Sequence, residues 1–115
     1  MLYFWIGLGS AVGGIMRYLV LMYLPWNSLW ALLCVNVLGS FLFGFLVQCM
    51  QTEELRLALL VGFLGSFTTF STFSYEVLML FLNGRCVLGG LYVLLSLGLS
   101  LGAVWGGVLL GPKTL

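Results

Sequence analysis

Four apolar runs, each of membrane-spanning length and joined by only a few residues, leave this chain very little choice of fold. They extend roughly over Leu2–Leu24, Ser28–Met50, Leu55–Leu82 and Val87–Leu110, each close to the ~20 residues a helix needs to cross a bilayer core. The separators are Pro25-Trp26-Asn27, Gln51-Thr52-Glu53-Glu54 and Asn83-Gly84-Arg85. None has room for a soluble domain, so residues 1–115 read as a single all-α membrane domain of four transmembrane helices. Only 6% of the residues are charged and the mean hydropathy is +1.22, a composition that excludes a water-soluble domain. The first run lacks a basic leader and a small-residue cleavage site, so it is expected to stay in the mature protein rather than act as a signal peptide.

Several chemistries fall away. Histidine is absent, and acids adjoin only at Glu53-Glu54, so the constellations of acid–base and hydrolytic catalysis are missing and an enzyme is not expected. Cys34, Cys49 and Cys86 are an odd number without paired spacing, which supports neither a disulfide framework nor a zinc site. Nothing points to nucleic acid. The surroundings this chain needs are a lipid bilayer, in the inner or plasma membrane of a cell.

Charge placement carries a second message. With four spans, Arg56 and Lys113 share the side of the N-terminus, and Arg17 and Arg85 share the other. Cytoplasmic loops normally collect the basic residues and thereby fix orientation. Two against two gives no such bias, so the chain is expected to insert both ways and to pair as an antiparallel homodimer of dual topology; an orientation fixed by weaker signals is the alternative.

The third run contains a polar block, Gly65-Ser66-Phe67-Thr68-Thr69-Phe70-Ser71-Thr72-Phe73-Ser74. In hydrocarbon each unpaired polar group costs on the order of several kcal/mol. Such a block must therefore face protein, an ion or trapped water. Two readings are open. In one, the glycines and hydroxyls break the third helix and free backbone carbonyls for a hard cation such as Na+; in the other, Thr68, Thr69, Ser71 and Thr72 bond back to an unbroken helix. Phe70 and Phe73, three apart, are expected to share a helix face, where their positive ring edges together with Ser71 and Thr72 suit a small anion.

The other spans supply partners. Asn36 is the mid-span amide of the second run, either interhelical glue or a pore group. Arg17 lies inside the first run and Glu76 inside the third; such charges are functional candidates, with Arg17 at an anion-attracting vestibule or paired with Glu76 or lipid headgroups. In the fourth run Gly98, Gly102 and Gly106 form a small-residue ladder, and Tyr92, Ser96 and Ser100 a stripe roughly opposite. At about 100° per residue, the glycine face is expected to pack and the hydroxyl face to offer a polar track.

These motifs together resemble one family. Gly13-Gly14-Ile15-Met16-Arg17 is similar to its GGxxR, Asn36-Val37-Leu38-Gly39 to its NxxG, and Gly62 through Phe73 to its GxxGxxTTFSTF signature. The family is that of the Fluc (CrcB) fluoride ion channels, and the resemblance spans essentially the whole chain. Ser66 stands where a second glycine is common. What the resemblance implies is a dual-topology antiparallel homodimer with two pores that passively exports fluoride, giving fluoride resistance. It further implies a structural Na+ at the dimer centre held by the Gly65 and Thr68 carbonyls, ring edges from Phe70 and Phe73, a pore amide at Asn36 and a vestibule Arg17. Ser71, Thr72, Tyr92, Ser96 and Ser100 would form the polar track. A small dual-topology multidrug exporter is the rival reading, although its coupling carboxylate belongs in the first span and none stands there. A non-conducting assembly subunit is a second rival.

Overall fold

The computed structural model describes residues 1–23, 28–49 and 52–111. The expected separator Pro25-Trp26-Asn27, together with Met50, Gln51 and Lys113, lies outside the described residues. Among those described, every regular element is a helix. Helix α1 covers Leu2–Tyr23 and α2 Ser28–Leu46. A short α3, Glu53–Arg56, is capped by Thr52, whose hydroxyl accepts the Leu55 N–H at 3.4 Å. It runs into a π-helical segment, Leu57–Leu64, and then α4, Gly65–Phe67. Helix α5 covers Ser71–Leu82 and α6 Cys86–Leu110. Four stretches are long and apolar enough to cross a membrane: Leu2–Tyr23, Leu29–Leu46, Glu53–Leu82 and Cys86–Leu110. The protein is a multi-pass membrane protein, 48 Å in its longest dimension, which matches a bilayer of about 40–45 Å with its headgroups.

Lipid tails are as apolar as leucine, so close backbone packing rather than water exclusion must hold such helices together. The glycines show where this happens. Helix α1 lies on the π segment, and a Cβ added at Gly9 or Gly13 would run into the backbone of Ala58 or Phe63. On the other side α2 lies along α6, where a Cβ at Gly44 would strike Val104 and one at Gly107 would strike Phe41. The α5–α6 turn passes through Gly84 at φ +77°, in the left-handed region that glycine enters without steric cost. This turn folds α5 back on α6, and Leu29, Leu32, Leu33, Phe73, Leu80 and Tyr92 form the core between α2, α5 and α6.

Helix α6 turns its two stripes in different directions. In α6 the buried residues are Gly89, Tyr92, Ser96 and Gly107, so the hydroxyl stripe faces inward. The ladder of Gly98, Gly102 and Gly106 has nothing within 4 Å of a would-be Cβ. Polarity explains which face turns inward, because tyrosine and serine hydroxyls are costly toward lipid whereas a glycine face is indifferent. Gly107 and Gly44, not the ladder, make the close helix crossing within the chain.

The two neighbouring glycines of α1 provide the test. Gly13→Ala should lower stability by about 1–3 kcal/mol, the usual effect of overpacking, because its methyl meets the Phe63 backbone. Gly14→Ala, which faces open space in the chain, should stay within about 0.5 kcal/mol. Thermal unfolding of the detergent-solubilised protein distinguishes the two.

Candidate functional site

Between α4 and α5 the backbone leaves the helix. Thr68 is extended, with φ −84° and ψ 153°, Phe70 sits at φ −95° and ψ −30°, and helical bonding resumes at Ser71. A helix end exposes carbonyls and amides that need other partners, and threonine and serine side chains compete for such groups. Here each partner is traceable. The Leu64 carbonyl accepts from both Thr68 N–H at 3.1 Å and Thr68 Oγ1 at 3.0 Å. The Phe70 carbonyl accepts from Ser74 N–H at 2.8 Å and Ser74 Oγ at 3.0 Å, which locks the first turn of α5. Thr69 is held from α2. Its N–H donates to Asn36 Oδ1 at 3.1 Å and its carbonyl accepts from Asn36 Nδ2 at 3.3 Å. Arg17 reaches across from α1 and donates from Nη1 to the Ser66 carbonyl at 3.2 Å.

Beside this interruption is a cavity of about 220 Å³. Helix α2 contributes Asn36 and Ser40, the interruption contributes Thr68, Thr69 and Phe70, and α5 contributes Phe73. Helix α6 closes it with Ser96, Leu97 and Ser100. Five of the residues singled out from the sequence as pore groups, Asn36, Phe70, Phe73, Ser96 and Ser100, thus meet around one space.

The remaining candidates lie elsewhere. Tyr92 is buried behind Phe73, their rings 5.4 Å apart, and Thr72 is half-buried outside the lining. Ser71 is exposed and shares a hydrogen bond of 3.2 Å with Thr69 Oγ1. Arg17 is half-buried on the Ser66 carbonyl. Gly65 borders a second depression of about 180 Å³, with Gly39 and Leu64 among its walls, and Thr68 lines both this depression and the cavity.

The aromatic pair departs from its expected geometry. Phe70 precedes α5 rather than sharing a helix face with Phe73, and the two rings meet at 5.6 Å with a 44° tilt. Phe73 is 8% exposed and Phe70 72%. Phe70, Phe73 and Tyr92 therefore form a line of three rings running from the open surface inward. At its inner end the hydroxyls of Tyr92 and Ser96 lie near each other, buried, with no other hydrogen-bond partner among the described residues. Leaving such a group unsatisfied costs about 1–3 kcal/mol. Two orphan hydroxyls beside phenyl edges suit a small solute that accepts hydrogen bonds.

Sequence reasoning missed Ser40 and gave Thr69 no role of its own. Ser40 follows Asn36 by four residues and so lies on the same face of α2, a signal present in the sequence. The Asn36–Thr69 pairing had none, because its partners are 33 residues apart.

A family model described as CrcB-like protein, Camphor Resistance (CrcB), matches residues 4–108. The chain belongs to the CrcB-like family. Relatives named "Fluoride-specific ion channel FluC" are similar along most of its length. The one from Elusimicrobium minutum is 47% identical over 111 residues, covering 91% of this chain and 89% of the relative. That from Rhizobium etli is 40% identical over 116 residues, covering 90% of each. The one from Acidithiobacillus ferrooxidans is 48% identical over 90 residues, covering 74% and 72%. This CrcB-like chain thus belongs with ion channels and not with enzymes, and the exporter reading finds no support among these relatives.

Because the Ser96 hydroxyl has no strong partner among the described residues, Ser96→Ala should leave stability unchanged or raise it by about 1–3 kcal/mol. A loss in thermal unfolding would mean that the hydroxyl anchors the fold.

Proposed function

We propose that this CrcB-like protein is a fluoride channel that lets the anion leave the cell passively. The observation that carries the reading is a phenyl-lined cavity whose wall includes the buried Ser96 hydroxyl, with the Tyr92 hydroxyl behind it, in a family whose relatives are named for fluoride. Fluoride is small, holds water tightly and accepts hydrogen bonds strongly. A site that strips part of its hydration must return hydrogen bonds, and the Ser96, Ser100 and Tyr92 hydroxyls are suited to do so. The Phe70 and Phe73 ring edges add positive electrostatic potential without supplying a fixed charge that would trap the ion. Binding weak enough to permit exit is what conduction demands. Ser71 and Thr72, at the start of α5, extend the hydroxyl track beyond the cavity. Arg17 adds positive charge on the α1 side.

The conducting unit in this reading is an antiparallel homodimer of dual topology with two pores. Its support is the even split of basic residues, the open ladder of Gly98, Gly102 and Gly106, and the outward Phe70. The interruption at Thr68–Phe70 would serve as the functional break of the third span. The resemblance also implies a structural Na+ at the dimer centre, and the residues present fit it. In an unbroken helix the Gly65 carbonyl would accept from Thr69 N–H, yet that donor is turned to Asn36 Oδ1. Gly65 and Thr68 also face one shared depression, and backbone oxygens suit a hard cation. When bound, Na+ would neutralise carbonyl dipoles left without donors at mid-membrane.

The direct test loads liposomes with fluoride or chloride and follows efflux with ion-selective electrodes once a counter-ion path is opened. Fluoride should leave rapidly while chloride stays. A folded protein that releases neither ion would instead favour an assembly subunit. Phe70→Ile should slow fluoride efflux about tenfold, the equivalent of about 1.4 kcal/mol, with the dimer intact by size-exclusion chromatography. Unchanged efflux would remove the ring edges from the pathway.

A further inference from the structure

Asn36 makes an unusual pair of contacts. Its Oδ1 accepts from the Thr69 N–H at 3.1 Å and its Nδ2 donates to the carbonyl of the same residue at 3.3 Å. The match fixes the orientation of the amide, since a flipped side chain would set N–H against N–H and oxygen against oxygen. The two bonds satisfy both backbone groups of Thr69, the residue at the centre of the interruption. Thr68 before it is extended and α5 does not begin until Ser71, so no helical ladder holds Thr69 on either side.

We propose that Asn36 is a positioning residue, a two-point clasp on Thr69 that keeps the Gly65 carbonyl free of its helical donor and so builds the cation site from the neighbouring helix. This rests on the Na+ reading above. Without the clasp, the least costly remedy for a stranded Thr69 N–H in hydrocarbon is to return to Gly65, which closes the helix over the carbonyl a cation would need. The anion-side and cation-side depressions share Thr68 and Ser40 as walls, and the clasp forms part of the anion-side wall next to the shared Thr68. One side chain thereby sets the geometry of both.

The test uses the full chain in detergent, with two readouts: the gain in melting temperature on replacing N-methylglucamine chloride by sodium chloride, and hydrogen exchange at the Thr69 amide by NMR. A ligand that binds only the folded state raises stability with its concentration. Asn36→Leu, similar in size but without polar atoms, should lose the Na+ gain and exchange at Thr69 about tenfold faster. Asn36→Asp, whose carboxylate still accepts from the Thr69 N–H, should keep the Na+ gain even where fluoride efflux falls. If Asn36→Leu does not fold, Asn36→Ser takes its place, its side chain being too short to span the gap.

Full Na+ gain and unchanged Thr69 exchange in Asn36→Leu or Asn36→Ser would overturn the proposal, as would loss of the gain in Asn36→Asp with Thr69 still protected. A wild-type protein with no Na+ gain would remove the cation site and this role of Asn36 with it. Fluoride efflux from liposomes reports separately on the channel reading.

Discussion

Everything near the centre of this protein depends on how the backbone polar groups between Leu64 and Ser74 are satisfied away from water. A helix solves that problem by itself, and a segment that leaves the helix must recruit outside donors and acceptors. The chain does so with few side chains. Thr68 and Ser74 double the hydrogen bonds to the Leu64 and Phe70 carbonyls, Asn36 takes both groups of Thr69, and Arg17 takes the Ser66 carbonyl. Each contact closes one vacancy, and together they leave the cavity lined by hydroxyls and phenyl rings rather than by stranded backbone amides.

This division of labour separates scaffold from site. Helix α1 and the π segment interlock through Gly9 and Gly13 at backbone distance, and α2 and α6 through Gly44 and Gly107. The cavity opens between the α2–α6 pair and the interruption with the start of α5. Its polar groups come from α2, α6 and the interruption, so a displacement of the α2–α6 pair against the third span would alter its width. A narrow, inflexible passage is what discrimination between a small halide and a larger one requires, and glycine contacts against backbone leave little play for it.

The four spans, the family and most of the cavity lining were legible in the sequence because each rests on local spacing. Hydropathy runs mark the spans, the Gly62–Phe73 motif marks the family, and Tyr92, Ser96 and Ser100 recur at intervals of four. What was not legible depends on which face meets which neighbour. The glycine ladder of α6 and its hydroxyl stripe are equally regular, and only tertiary packing decides that the hydroxyls turn inward. The joining of Asn36 to Thr69, and of Arg17 to Ser66, lies beyond any periodicity. Phe70 and Phe73 were adjacent by spacing, as found, but the extended Thr68 sets them on different elements rather than one helix face.

The π segment, Leu57–Leu64, gives the third span an uncommon relation to its own length. A π turn behaves as a helix with a residue too many, its N–H groups reaching back five positions, as the Gly65 N–H does to the Leu60 carbonyl. The residues beyond it are therefore out of phase with an ideal α-helix begun at Glu53. A return to regular α winding at the same length would turn the downstream chain by about 100°. Thr69 would then swing away from Asn36, and Phe73 from Tyr92. For this protein, the winding of an apolar stretch without a single polar side chain sets the rotation of the polar block it leads into.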